Sequence, residues 1–193
     1  MRLYYTPNSP YARICRVAAR ECGLTEVEEI KVVTRDAGTS FFGVTPLARV
    51  PVLQDGDITI ADTRDICGHF DQVTDRKRWL VPETPQTRLD RNIATGFLDG
   101  VAVWLRENAR PESARSAQVM QYEQFRAKNA MRWFETREIH TRFDFSALTL
   151  VCALDIATSR GMGNWANIAP QVCEWATAQA KRNAFWQTRP GPA

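Results

Sequence analysis

The pattern of apolar residues changes near residue 80, and this change limits the folds open to the chain. Before it, short β-prone runs alternate with helical patterns, whereas after it no run makes a convincing strand. At 193 residues the chain is long enough for one large domain or two small ones. We therefore predict a mixed α/β domain followed by an all-helical bundle.

The first part of the chain predicts a strand–helix–strand unit, a loop, and then two strands and a helix. The predicted strands cover residues 3–5, 27–33, 50–53 and 58–60, and the predicted helices cover 10–22 and 63–73. Asp55-Gly56 lies between the last two strands, which indicates an antiparallel hairpin. This order fits a thioredoxin-like α/β domain, in which helices pack on a mixed sheet.

The second part follows a charged stretch, TDRKRWLVPETP, that occupies residues 74–85 and contains two prolines. Such a stretch indicates a linker. We place it at 77–84, between a thioredoxin-like domain over 1–76 and a helical domain over 85–193. The helices predicted in the second domain cover 89–105, 113–140, 145–156 and 169–181. The third of them is almost wholly apolar, so we expect it to be buried, with Asp144 as its cap.

Charge and hydropathy argue against several classes of partner. The net charge is +3 with nearly balanced acids and bases, which does not predict nucleic-acid binding. The longest apolar stretch, about 147–154, is far short of the roughly 20 residues of a membrane span. The segment MRLYYTPNSP lacks the apolar core of a signal peptide. We therefore expect a cytoplasmic protein without a membrane partner.

The five cysteines predict neither a metal site nor a redox motif. Their number is odd, no C-x-x-C pair occurs, and the only two histidines, His69 and His140, lie far apart in the sequence. We interpret the cysteines as reduced and mostly buried thiols.

Pro51 is an unusual residue at the start of a predicted strand, because proline has no N–H to donate to a sheet. In a thioredoxin-like fold a proline at this point is cis, and the main chain of Val50 is then available to pair with an extended peptide ligand. An ordinary trans proline on an edge strand is the alternative. We predict the cis form in this context.

Asp62 and Thr63 begin the second predicted helix. The N–H groups of a helix N-terminus attract carboxylates, so Thr63 is a candidate to hold a carboxylate while Asp62 holds an amine beside it. Together they would recognise the head group of an amino acid. A simple N-cap explains the same pair equally well.

Ser9 lies at the N-terminus of the first predicted helix, where a glutaredoxin-type protein carries the first cysteine of its C-P-Y-C motif. The chain has Ser9-Pro10-Tyr11-Ala12 instead, so both cysteines are absent. A serine hydroxyl can donate a hydrogen bond to the thiolate of a ligand, and it can also cap the helix. The two roles compete for one oxygen, and both remain open.

These elements, in this order, resemble the cytosolic glutathione transferase superfamily, in particular bacterial serine-type members with a tau-, theta- or omega-like N-terminal motif. The resemblance rests on SPYAR at 9–13, on TPLARVPVL at 45–53, which is similar to the family's NPLGKVPVL, and on DTRDI at 62–66. Residues 170–190 also resemble bacterial members. The resemblance implies a thioredoxin-like domain, a helical domain and a homodimer.

The resemblance also implies roles for individual residues. Ser9 would donate to the thiolate of glutathione, the cosubstrate, and Val50 with Pro51 would bind its cysteinyl backbone. Asp62 and Thr63 would hold its γ-glutamyl end, and Arg49 would lie near the glycyl carboxylate.

A pocket for the second substrate, a small hydrophobic electrophile, is also implied by the resemblance, and it would lie between the domains. Tyr11, Trp104 and Leu105 are the candidates to line it. Aromatic residues at helical spacing are more often part of a core.

Three functions remain to be separated. The first is an enzyme that adds glutathione to an electrophile, with Ser9, or alternatively Tyr5, activating the thiol. The second is a non-catalytic binding or regulatory protein with the same fold. The third, a thiol-disulfide oxidoreductase, is disfavoured because Ser9 and Ala12 occupy the positions of the two redox cysteines. Cys15 cannot replace them, because it lies deeper in the helix.

Overall fold

The computed structural model describes residues 1–137, 139 and 142–191, which form four strands and seven α-helices. The strands are β1 (Arg2–Tyr5), β2 (Glu28–Lys31), β3 (Val52–Asp55) and β4 (Ile58–Ile60). The helices are α1 (Pro10–Glu21), α2 (Thr63–Val73), α3 (Pro85–Asn108), α4 (Ala117–Glu135), α5 (Phe145–Ser159), α6 (Pro170–Ala180) and α7 (Asn183–Gln187). Contacts divide the described residues into two compact units, Met1–Val81 together with 183–191, and Pro82–Arg182.

The first unit contains a mixed sheet with the strand order β2-β1-β3-β4. β1 is parallel to β2, whereas β3 is antiparallel to both β1 and β4. Gly56 allows the tight β3–β4 turn, since its φ of +57° lies in the left-handed region that glycine adopts without strain. The predicted thioredoxin-like arrangement is confirmed.

Alternate residues of the strands face opposite sides of this sheet. Tyr4 and Val52 pack on one side with Phe41 and Ala48. Leu3 and Leu53 are fully buried as well, and α1 and α2 pack against each other and against β1 and β3. The central strands are therefore covered on both sides.

The second unit is built from helices, as predicted, with α3 packed against α4 and α5. Most residues of α5 are buried. Asp144 caps α5, because its Oδ1 accepts a hydrogen bond from the Ala147 N–H at 3.0 Å. No helix in the described part of the chain is both long enough and apolar enough to cross a bilayer.

The predicted helix over 113–140 needs correction. A short 3-10 turn occupies Glu112–Ala114, and α4 starts only at Ala117. Ser116 fixes this start, because its Oγ accepts a hydrogen bond from the Val119 N–H at 3.3 Å. The helix ends at Glu135, and the predicted last residue, His140, lies outside the described residues.

The structure also differs from the predicted division into domains at residues 183–191. The prediction assigned all of 85–193 to the helical domain, of which 192 and 193 lie outside the described residues. In the structure, however, 183–191 belong to the first unit and include the unpredicted helix α7. Phe185 and Thr188 are fully buried there, and α7 packs against α1.

Candidate functional site

Three segments singled out in the sequence meet at one end of the sheet. Ser9 follows β1, Val50-Pro51 precedes β3, and Asp62-Thr63 follows β4. Because β1 and β4 both run antiparallel to β3, the ends of β1 and β4 lie beside the start of β3. The thiol of Cys15 lies 3.7 Å from the Thr63 carbonyl oxygen, so α1 and the start of α2 are in contact.

Ser9 caps α1, as the capping interpretation predicted. Its Oγ accepts a hydrogen bond from the Ala12 N–H at 3.2 Å, and Pro10 occupies the first turn of the helix. Its own N–H donates to the Thr6 carbonyl at 3.1 Å, which closes the turn that enters the helix. A hydroxyl also has one proton to donate, and no acceptor within the described residues takes the proton of Ser9.

The Val50–Pro51 peptide bond is cis, as predicted. Neither the N–H nor the C=O of Val50 is hydrogen-bonded to another backbone group of the described residues. Val50 is half-buried and the neighbouring Arg49 is exposed. The main chain of Val50 is thus available to a ligand that approaches in an extended conformation.

Asp62 caps α2 through one carboxylate oxygen. Oδ1 accepts hydrogen bonds from the N–H groups of Arg64 and Asp65 at 2.8 and 3.1 Å. Asp62 is exposed and Thr63 is half-buried at the first position of the helix. The capping interpretation is therefore correct for Asp62, and capping through Oδ1 leaves the second oxygen to accept from a ligand that supplies a donor.

The two helix N-termini differ in charge. The first turn of α1 contains no acidic residue. By contrast, α2 is capped by Asp62 and has Asp65 in its first turn. The partial positive charge of a helix N-terminus is therefore uncompensated at Ser9, which suits an anion, whereas the carboxylates at α2 suit an ammonium group.

The rival residue Tyr5 contacts a charged group. Its ring lies under the guanidinium of Arg16, with 4.2 Å between Cζ and the ring centroid. Arg16 in turn forms an ion pair of 2.8 Å with Glu29 of β2. The preceding Tyr4 is a buried core residue whose hydroxyl donates to Gln54 Oε1 at 2.6 Å. One of the two tyrosines thus belongs to the core, as the alternation along a strand predicted.

All five cysteines are free thiols, and four of the five are buried, as predicted. Burial raises the pKa of the Cys67 thiol well above its usual value, and the adjacent Cys15 thiol raises it further. Burial likewise raises the pKa of Cys22 and of Cys173. Since the thiolate is the reactive form, these three cysteines are poor nucleophiles. The contact of Cys15 with Thr63 could not be predicted from the sequence, because it joins two helices.

The residues predicted to line a second pocket have different environments. Tyr11 is half-buried at the second position of α1, and Leu105 is half-buried in α3. Trp104 is only 6% exposed and packs edge-on against Trp165, with the ring centroids 6.2 Å apart. A shallow groove in the second unit runs along α6, and none of these three residues lines it.

Among residues 1–137, 139 and 142–191, no three or more His, Cys, Asp or Glu side chains are arranged to hold a metal ion.

Residues 8–73 match the family of the glutathione S-transferase N-terminal domain. The match covers 66 of the 193 residues, and over them the chain is similar to that domain. This transferase-family match contains both helix N-termini and the Val50-Pro51 segment. The serine-type and the tau-, theta- or omega-like assignments remain predictions.

Solved structures of glutathione transferases share the fold over nearly the whole chain. A family member from Pseudomonas fluorescens Pf-5 with bound glutathione is 24% identical, with 98% of each chain covered and a TM-score of 0.87. A glutathione S-transferase from Methylobacillus flagellatus KT with bound GSH is also 24% identical, covering 98% of this chain and 99% of that one, with a TM-score of 0.83. A search of curated protein sequences finds no match.

Proposed function

We propose that this protein binds glutathione at the end of the sheet where Ser9, Val50 and Asp62-Thr63 meet, stabilises its thiolate and adds it to a small hydrophobic electrophile. The observation that carries the proposal is the convergence of two helix N-termini and a free main-chain segment at that end. The glutathione-bound structures with the same fold support the choice of ligand.

Each part of glutathione has a partner in this proposal. The main chain of Val50, next to Pro51, pairs with the cysteinyl backbone, and Asp62 with Thr63 holds the γ-glutamyl amine and carboxylate. Arg49, which is exposed, faces the glycyl carboxylate. The electrophile binds beside the sulfur, and Tyr11, Trp104 and Leu105 remain the proposed contacts for it.

Thiolate stabilisation is the chemical role of Ser9. A free thiol has a pKa of about 8.5, and each unit of lowering requires about 1.4 kcal/mol of preference for the thiolate. A hydrogen bond to a charged group contributes about 1.5–3 kcal/mol, whereas a helix N-terminus contributes about 0.3–1 kcal/mol. The hydroxyl therefore stabilises the thiolate more than the helix N-terminus does. Capping does not remove this effect, because capping uses a lone pair and donation uses the proton.

Two Ser9 variants separate capping from donation. Ser9→Ala removes the cap and the hydroxyl, whereas Ser9→Gly removes the hydroxyl but costs only a few tenths of a kcal/mol as a cap. We expect the pKa of bound glutathione, followed by thiolate absorbance, to rise by about one to two units in both variants. The free energy of unfolding should fall by about 1 kcal/mol in Ser9→Ala alone.

Ser9→Thr and Tyr5→Phe serve as controls. Ser9→Thr keeps both the cap and the hydroxyl, and Tyr5→Phe tests the rival donor. An unchanged thiol pKa in Ser9→Gly together with a raised one in Tyr5→Phe would transfer the role to Tyr5. Failure of the wild-type protein to bind glutathione would refute the proposed function.

A non-catalytic glutathione-binding or regulatory protein is the second candidate. The observation in its favour is that the caps formed by Ser9 Oγ and Asp62 Oδ1 account for these two residues without a catalytic role. It predicts glutathione binding with the same thiol pKa in the wild type and in Ser9→Gly.

The proposed assembly is a cytoplasmic homodimer, which the resemblance to the superfamily implies. Large side chains on α4 are exposed, among them Tyr122 at 55% and Phe125 at 63%. Exposed apolar side chains that lie together often form part of a protein–protein interface.

A further inference from the structure

Residues 183–191 pack along α1, the helix that Ser9 caps. Arg13 is only 2% exposed and Phe185 is completely buried. The Arg13 Nη2 donates a hydrogen bond to the Phe185 carbonyl oxygen at 3.2 Å, and its guanidinium lies 5.7 Å from the centroid of the Phe185 ring. The segment is thus joined to α1 by a buried, charge-assisted hydrogen bond.

Arg13 is itself bonded to Ser9. Its backbone N–H donates to the Ser9 carbonyl at 3.0 Å, in the first turn of α1. Only one backbone hydrogen bond therefore separates Arg13 from Ser9, and a displacement of Arg13 is transmitted to Ser9 through it.

The same segment also reaches the turn that leads into Ser9. A Cβ placed on Gly191 would lie 3.5 Å from the Asn8 Oδ1 and 3.8 Å from the Pro7 Cβ, which is ordinary van der Waals contact. Between these two contacts, Thr188 is fully buried, and its hydroxyl donates to the Ala184 carbonyl at 2.8 Å. This hydrogen bond stabilises the backbone of the segment itself. The segment therefore packs against both the turn that precedes Ser9 and the helix that follows it.

We propose that residues 183–191 position Ser9 for thiolate binding, and that Arg13 is the positioning residue that transmits this constraint. This inference rests on the proposed function, because it concerns the same hydroxyl. A donor displaced by about 1 Å can cost a large part of a catalytic effect.

The test compares Arg13→Met with Arg189→Met. Methionine keeps an unbranched apolar stem in place of that of Arg13 but removes the guanidinium and with it the hydrogen bond to Phe185. Arg189 is exposed in the same segment, with its guanidinium 4.0 Å from the ring centroid of the exposed Trp186, so Arg189→Met is a matched control.

Two measurements are made on each variant. In the ligand-free protein, we expect the amides of Ala12 and Arg13, which donate to Ser9, to exchange with solvent about tenfold faster in Arg13→Met than in the wild type. In the glutathione complex, we expect the thiol pKa to rise and kcat to fall about tenfold, with less than a twofold change in the dissociation constant of glutathione. Arg189→Met should behave as the wild type in both.

A double variant shows whether Arg13 acts through Ser9. In the Ser9→Gly background, Arg13→Met should leave the thiol pKa unchanged, since the hydroxyl is already absent. An equal rise of the pKa in both backgrounds would overturn the inference. If Arg13→Met does not fold, a chain ended after Thr188 replaces it as the test of the segment, because that chain keeps Phe185 and Thr188 and loses Gly191 beside the Pro7-Asn8 turn. The contact of Arg189 with Trp186 is lost as well, and Arg189→Met is the control for that loss.

The two proposals fail in different ways. Unchanged exchange at Ala12 and Arg13 overturns the positioning role, whatever the ligand does. Absence of glutathione binding in the wild type refutes the proposed function, and the exchange data then still decide whether the segment orders Ser9.

Discussion

Single side chains stabilise irregular backbone in this protein by accepting hydrogen bonds from its N–H groups. The carboxylate of Asp71 in α2 is a clear case, being only 8% exposed. Its Oδ1 accepts from the Arg78 N–H at 3.2 Å, and its Oδ2 accepts from the N–H groups of Trp79 and Leu80, both at 2.8 Å. One side chain thereby satisfies three backbone donors of the segment that follows α2.

Asp71→Asn is expected to destabilise the protein. The NH2 group that replaces one carboxylate oxygen cannot accept a hydrogen bond, so at least one of the three N–H groups loses its partner, at a cost of about 2 kcal/mol. Urea denaturation measures the loss. Asp57→Asn, at an exposed turn, is the control and should change the free energy of unfolding by less than about 0.5 kcal/mol. Equal stabilities of the two variants would contradict this role for Asp71.

Residue roles that depend on near neighbours could be predicted from the sequence. The caps by Ser9, Asp62 and Asp144 act within three residues, and Pro51 acts on its own peptide bond. The role of Asp71 could not be predicted, because its three donors lie seven to nine residues further along the chain in irregular backbone.

Pairs of elements are joined by charge as well as by apolar packing. Glu29 of β2 accepts hydrogen bonds from Arg16 and Arg20 of α1. Burial alone would raise the pKa of Glu29, but the two arginines outweigh burial, so the pKa lies below its usual value. An acid with a lowered pKa in the folded state stabilises the fold above its unfolded pKa, and this stabilisation disappears as the pH falls through the folded value.

Glu29→Gln should therefore flatten the acid side of the stability profile. At pH 7 we expect it to be less stable than the wild type, and the difference should shrink as the pH falls below about 4.3, the usual value for glutamate. Urea unfolding between neutral and acid pH measures this difference. The exposed neighbour Glu28, which lies 3.6 Å from Arg2, supplies the control Glu28→Gln. A difference that stays constant with pH for Glu29→Gln would contradict the prediction.

Elements with a strong internal pattern can be predicted from the sequence, whereas elements held by distant contacts cannot. The strands and the buried helix α5 follow from apolar periodicity, which a sequence displays directly. The five-residue helix α7 is too short to show such a pattern. Its place beside α1 depends on the contact of Arg13 with Phe185, and these residues are 172 positions apart.

At the scale of the whole molecule, the first unit is assembled from two separate stretches of chain. Phe185 belongs to the second stretch and is one of the largest fully buried side chains. Stability that is measured in the first unit thus depends on residues that follow the helical unit in the sequence.

Phe185→Ala tests this dependence. Loss of a buried phenylalanine costs about 3–5 kcal/mol, and we expect faster hydrogen exchange in β1 and α1 than in α5. Phe134→Ala is the matched control, because Phe134 is fully buried in the second unit. It should accelerate exchange in α5 more than in β1 and α1. The same pattern of acceleration in both variants would refute the assignment of Phe185 to the first unit.

The two-stretch construction of the first unit has a consequence for biosynthesis. Residues 183–191 are translated about 100 residues after Val81, which corresponds to roughly 5–20 s at the usual speed of a ribosome. During that interval α1 exists without the segment that covers Arg13, although domains of a growing chain generally fold as units in the order of their synthesis. The sheet and its helices are therefore made before the helical unit but completed only after it.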